Sequence, residues 1–147
     1  MFVGKILSDH LMHIRLARRA QREAESDEIR EFAERIEKDF TRWSERWQNM
    51  AGRHGVDADP RLDRWDRNKL ERLDKAKKRD FDRIYTAIVA EHLESLVPKM
   101  RKESNEERAA WVGRLAEKEL PLVREFLADA RRLEKEPSKR EKDSDKK

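Results

Sequence analysis

The stretch FDRIYTAIVAEHLESLVPKM, residues 81–100, carries its apolar side chains at Phe81, Ile84, Tyr85, Ile88, Val89, Leu93, Leu96, Val97 and Met100. The steps between them are three and one, with one gap of four after Val89. That spacing lines one face of an α-helix. His92 falls between Val89 and Leu96 and so belongs to the same stripe. Each of these side chains contributes roughly 1.5–3 kcal/mol when fully buried, before the entropy of ordering the chain is subtracted. A helix so apolar on one side and so charged on the other needs partner helices.

The flanking sequence supplies them. Residues 2–25 read as a first helix with a stripe of Val3, Ile6, Leu7, His10, His13/Ile14, Ala17 and Ala20. Ser26 is the expected N-cap of a second helix over 27–53, with Asp27 and Glu28 in its first turn. The second stripe is Ile29, Phe32, Ala33, Ile36, Phe40, Trp43, Trp47 and Met50. Gly55 suits a left-handed helix end, and GVDADP with Pro60 makes a turn. A shorter helix over 62–76 carries Leu62, Trp65, Leu70 and Leu73. The quoted stretch then sits in a helix from about 79 to 103, which Pro98 is expected to kink. Ser104 and Glu107 read as a capping box for a last helix reaching about residue 134. That helix turns Val112, Leu115, Ala116, Leu120, Val123, Phe126, Leu127 and Ala130 inward, with a bend at Pro121. The division is therefore a helical bundle over 1–134 and a charged tail, KEPSKREKDSDKK over 135–147, expected to be disordered because it has nothing apolar to bury.

Composition agrees with long amphipathic helices. Charged residues make up 46% of the 147-residue chain and hydrophobic ones 36%, whereas globular chains average about 25% and about 45–50%. The apolar residues are spaced rather than scattered, which argues against disorder. Four glycines and four prolines are too few for the many turns of a β-sandwich. The net charge of +4 comes from interleaved signs, as in EIREFAERIEKDF, which reads as a solvated helical surface rather than a one-sided nucleic-acid footprint. There is no Cys, hence no disulfide framework and no thiolate chemistry. No apolar run approaches the length of a membrane span. The N-terminus lacks the pattern of a signal peptide, which points to the cytoplasm if Met1 is the natural start.

About 25 residues separate the second helix from the helix containing 81–100, whereas a simple hairpin of helices needs about 2–8. The spacing predicts a crossover along the bundle that leaves those two helices parallel. Counted from a common end, His13, Phe40 and His92 each lie 13 positions in, and the three are expected in one layer. Ferritin-like bundles share this topology and put their metal sites in such a layer.

Four segments in order, FVGKILSDHLMHIRLARRA (2–20), SDEIREFAERIEKDF (26–40), FDRIYTAIVAEHLESL (81–96) and LPLVREFLADARRL (120–133), resemble the helices of the ferritin-like domain-of-unknown-function family 4142. Its members are often labelled predicted outer membrane proteins. The resemblance implies a ferritin-like bundle of the bacterial periplasm or cell envelope, with no established activity. The departures concern its polar centre. Where members typically carry Asp-His in the second helix, this chain has Asp39-Phe40. Where they carry Asp-His-Glu in the third, it has Glu91-His92-Leu93-Glu94. Where they carry Arg-Glu-His in the fourth, it has Arg124-Glu125-Phe126, and His13 stands at a typically acidic position.

A di-metal carboxylate site requires inward Glu and Glu-x-x-His motifs. Glu-x-x-His is absent, the nearest form being Glu37-Lys38-Asp39-Phe40. No metal or other cofactor is expected. If a site exists, His10, His13, His92 and Glu94 are the candidates, for a divalent ion such as iron or zinc. The plainer reading makes His92 a core histidine with one hydrogen bond, leaves His10 and His13 half exposed, and turns Glu94 partly outward. No nucleophile triad or phosphate loop appears, so no catalytic residue is assigned. The sequence thus reads as a non-enzymatic, ferritin-like bundle of the envelope acting by binding or structural support. The alternatives are a metal-binding or metal-oxidising bundle and a basic, nucleic-acid-associated protein, the last disfavoured. A protein or envelope partner and an oligomer stay open.

Overall fold

In a computed structural model that describes residues 2–105 and 109–136, the chain forms five α-helices. They are α1 (Phe2–Glu23), α2 (Asp27–Arg53), α3 (Arg64–Asp74), α4 (Phe81–Asn105) and α5 (Ala110–Lys135). A single 3-10 turn, Lys78–Asp80, leads into α4. No described residue lies in a strand. Residues 137–147, most of the charged tail, lie outside the described residues, as does Glu107.

The caps form largely where side-chain chemistry demands them. Ser26 accepts a hydrogen bond from the Ile29 N–H and starts α2. Gly55, at φ 71°, follows the end of α2 in the left-handed region that favours glycine. Asp63 opens α3 by accepting from the Asp66 N–H at 2.8 Å. The expected capping role of Ser104 is not seen. Its hydroxyl bonds back to the Arg101 carbonyl at 2.7 Å inside the last turn of α4, and α5 begins after Ala109 without a side-chain cap. Ser104 bonds four-residue neighbourhoods as readily as caps, so a Ser-x-x-Glu spacing alone does not end a helix.

The crossover is present. The Asp82 carboxylate in the first turn of α4 accepts the backbone N–H groups of Glu25 and Ser26, both at 3.0 Å. The start of α4 therefore sits beside the start of α2, and the two helices leave that end together. α5 returns to the same end, where Arg132 meets Glu28 at 3.3 Å. The opposite end gathers Phe2, Trp47 and Trp111. The chain thus makes two antiparallel hairpins, α1–α2 and α4–α5, joined by a connector that runs the length of the bundle. The mid-bundle layer forms as the count predicts: His13 lies 5.2 Å from Phe40 and 4.7 Å from His92, ring centre to ring centre.

Burial departs from the sequence stripes in three places. α1 is covered on two sides, so Ile6, Leu7, Ser8, Asp9 and His10 are buried in succession, and His10 and His13 are fully buried rather than half exposed. Trp47 is fully buried, whereas Trp43 is only partly so and carries Arg46 4.1 Å above its ring. Trp65, placed on the connector's apolar stripe, is 70% exposed, while Leu73 on the same short helix is buried. An eleven-residue helix resting on the outside of a bundle buries only a narrow strip.

Candidate metal centre

Two buried polar clusters hang from α1. The first is closed. His10 Nε2 lies 2.7 Å from Glu119 Oε2, and the Trp47 indole N–H donates to Glu119 Oε1 at 2.7 Å. Glu119 and His10 have no measurable exposure, and the His10 ring stacks on Phe40. Both carboxylate oxygens have a partner, while His10 Nδ1 is buried without one.

The second cluster joins α1, the connector and α4. Ser8 donates to Asp66 Oδ2 at 2.6 Å and accepts the Asp63 N–H at 2.9 Å, which pins the start of α3 to α1. Lys5 Nζ lies 2.7 Å from Asp63 Oδ2, 3.0 Å from Asp9 Oδ1 and 3.3 Å from Asp66 Oδ2. His92 Nε2 approaches Asp9 Oδ1 at 3.2 Å, and its Nδ1 lies 2.8 Å from His13 Nε2. Ligand atoms of Asp9, Asp66 and His92 all lie within 4.8 Å of one another, and all three residues are buried.

The electrostatics are those of acids held without enough donors. Burial and the adjacent Asp9 carboxylate push Asp66 up to about 6. Burial opposes ionisation of Asp9 too, but contacts with His92, Asp66 and Lys5 hold it well below the usual carboxylate range. Burial and the neighbouring His92 hold His13 well below the ordinary imidazole value, so it is neutral. Even so, Asp9 Oδ1 and Asp66 Oδ1 have no aligned hydrogen bond; Lys5 and His92 come close to Asp9 Oδ1 at poor angles, and Lys69 stands 3.9 Å from Asp66 Oδ1. His13 Nδ1 is also without a partner. A lone pair is cheaper to orphan than an N–H, so His13 carries its proton on Nε2 and donates to His92 Nδ1. That places the His92 proton on Nε2, facing Asp9.

A cleft of about 760 Å³ opens onto this cluster. Lys5, Asp63, Trp65, Lys69, His92 and Lys99 are among its walls. The Asp9–His92 separation of 3.2 Å matches the edge of a zinc tetrahedron, about 3.3 Å for bonds of about 2.0 Å. Three protein ligands, of which His92 borders the cleft, leave a fourth position for water, as in an accessible zinc site. Two changes are required. The Lys5 ammonium must withdraw toward Asp63, and the two histidines must exchange tautomers so that His92 Nδ1–H donates to His13 and frees Nε2. The second change buries the His13 Nδ1–H without a partner, which lowers affinity.

Of the residues named from sequence, His92 and His13 come together in this centre. His10 belongs to the closed cluster, and Glu94 is exposed and paired with Arg131 at 2.9 Å. Asp9, Asp66, Lys5 and Glu119 were not legible as site residues. Asp9 lies beside the α1 stripe, and only coverage of that flank by the connector makes it interior. Asp66 left a faint signal, an Asp-x-x-Asp at 63–66 where a helix begins.

No helix among the described residues is long and apolar enough to cross a membrane. No curated protein and no solved structure matches the chain. A family model described as domain of unknown function DUF4142 matches residues 1–133, all of the bundle, and the chain belongs to that family.

Proposed function

We propose that this chain is a non-enzymatic bundle that acts by binding, and that its ligand is a divalent cation, zinc before iron, held by Asp9, Asp66 and His92. One observation carries the reading. Two buried carboxylate oxygens without an aligned hydrogen bond, Asp9 Oδ1 and Asp66 Oδ1, gather with the His92 imidazole, which lines an open cleft. Buried acceptors of this kind are costly unless something occupies them. The donor set of one nitrogen and two oxygens suits zinc. The envelope is the proposed compartment on the family resemblance alone, and fractionation of cells carrying the natural gene tests it.

The test of binding uses the full chain without a His tag. After chelation it is loaded with zinc or ferrous iron, freed of excess and analysed for bound metal, beside Asp66→Asn. Near-stoichiometric metal in the parent and loss in the variant are expected. An empty parent, or equal metal in both, would falsify the reading.

A structural-support reading has its own observation, the Lys5 ammonium among three carboxylates. There, Lys5 is the permanent cation of a clamp that holds the connector. Lys5→Met separates the two. If the clamp alone matters, the variant is less stable with or without zinc. If the centre takes metal, zinc restores the variant's stability and binds it more tightly than the parent.

A further inference from the structure

A second, independent feature lies on the opposite hairpin pairing, between the C-terminal half of α2 and the first turns of α5. On α2, Arg46, Asn49, Met50 and Arg53 share one face at i, i+3, i+4 and i+7; on α5, Trp111, Arg114, Leu115 and Lys118 repeat the same spacing. Together these eight residues line a groove of about 260 Å³. Its floor is the partly buried Met50 and the buried Trp111 and Leu115. Its rims are four exposed cations, and no carboxylate lines it.

Some surface cations are tied to acids, as in Arg18–Glu37, Arg72–Glu91, Arg131–Glu94 and Arg132–Glu28, and, among the described residues, others such as Arg15 and Arg22 are not. What sets the groove apart is its lining: the clefts at Asp63, Asp82 and Asp129 each have a carboxylate among their walls, and this one has four cations and none. Arg46, Arg53, Arg114 and Lys118 make no ion pair among the described residues. Arg46 is instead positioned by its cation–π contact with Trp43, 4.1 Å from the ring centre. Arg53 also sits in the last turn of α2, where a cation offsets the helix dipole, but that role does not need the other three.

We propose that this groove binds a single phosphomonoester group. Guanidinium forks match phosphate oxygens two at a time, and a dianion is what a small groove lined by several cations and no carboxylate would hold. The patch spans seven residues of helix, about 10 Å, which suits one phosphate rather than the extended track a nucleic acid requires. The phosphate can come from a free metabolite or from a lipid headgroup, and the two share the same chemistry at the groove.

The full chain, kept in chelator so that the centre at Asp9 plays no part, is titrated with glycerol phosphate while the arginine side-chain N–H resonances are followed by NMR. In parallel it is sedimented with vesicles of phosphatidylcholine with or without phosphatidic acid. The comparison variants are Arg53→Gln with Arg114→Gln, and Arg15→Gln with Arg22→Gln as a surface control. Helicity by circular dichroism shows that all are folded, and Lys118→Gln provides a milder variant. Saturable shifts at Arg46, Arg53 and Arg114, with affinity reduced at least about tenfold in the groove variant and unchanged in the control, support a free phosphomonoester. Phosphatidic-acid-dependent sedimentation lost in the groove variant, without glycerol phosphate binding, supports a lipid-borne one. No saturable shift and no selective sedimentation would overturn the proposal. So would equal loss in groove and control variants, or a preference for DNA or RNA over either phosphate, which would reveal a general polyanion surface.

Discussion

The two polar clusters on α1 include histidines one helical turn apart, His10 and His13, yet their acids are held differently. Around His10 both oxygens of the acid are met: Glu119 receives Trp47 on one and faces His10 with the other, and only the His10 Nδ1 is buried there without a partner. Around His92 acceptors outnumber aligned donors, the neutralising cation is a flexible lysine whose side chain is 30% exposed, and a cleft leads outward. A buried carboxylate met on both oxygens ties α1, α2 and α5 together. A buried charge that is under-matched, and reachable, makes an exchangeable place for a cation. The burial of a histidine does not distinguish the two; the balance of donors and acceptors does.

The largest effect expected from breaking this contrast is in the closed cluster. Glu119→Leu leaves His10 and the Trp47 N–H without their acceptor, and should destabilise by about 3–5 kcal/mol. Adding His10→Leu should recover much of that loss, because a matched apolar pair replaces a half-broken polar one. Urea unfolding of the single and double variants checks both, and a double variant no better than the single would show that His10 and Glu119 are not a unit. Trp47→Ala should cost about 3–5 kcal/mol as a fully buried aromatic, and Trp43→Ala less than half of that, because Trp43 is only partly covered. Equal losses by the same measurement would contradict the burial difference.

The open cluster should answer differently. Asp66→Asn without metal should alter stability by no more than about 1 kcal/mol, since the amide has no charge to desolvate and still accepts from Ser8. With zinc at a hundred times its dissociation constant, the parent should gain about 2.7 kcal/mol and the variant nothing. Thermal melts with and without zinc provide the comparison. A large metal-free loss in Asp66→Asn would make this cluster as structural as the closed one. The smallest effect is expected at the cleft wall: Trp65→Ala should change stability by under about 0.5 kcal/mol, as an exposed side chain removed from the surface.

Much of the architecture was legible from periodicity. The boundaries of α2, the cap at Ser26, the left-handed Gly55 and the crossover followed from apolar spacing and from a connection too long for a hairpin. The His13–Phe40–His92 layer followed from counting along rigid helices, where a fixed rise per residue turns sequence position into height. Glu94 could be turned outward because it lies two positions from His92, about 200° around the helix.

The remainder depended on what covers each helix, which periodicity on one chain segment does not record. Asp9 and His10 are adjacent, so a single stripe cannot bury both. They are interior only because α1 meets α2 and α5 on one side and the connector and α4 on the other. Trp65 looked like core by its spacing and is exposed because a short helix docked on the outside has one narrow contact. Asp66 and Glu119 are surface residues by composition, and became buried acids because Lys5 and Ser8 meet one, and His10 and Trp47 meet the other. The amino-acid pattern by itself determined the helices and their order, because local propensity and hydrophobic spacing act within one turn. Only the tertiary structure decided which charges share a buried centre, because that depends on side chains brought together from as far apart as Asp9 and His92.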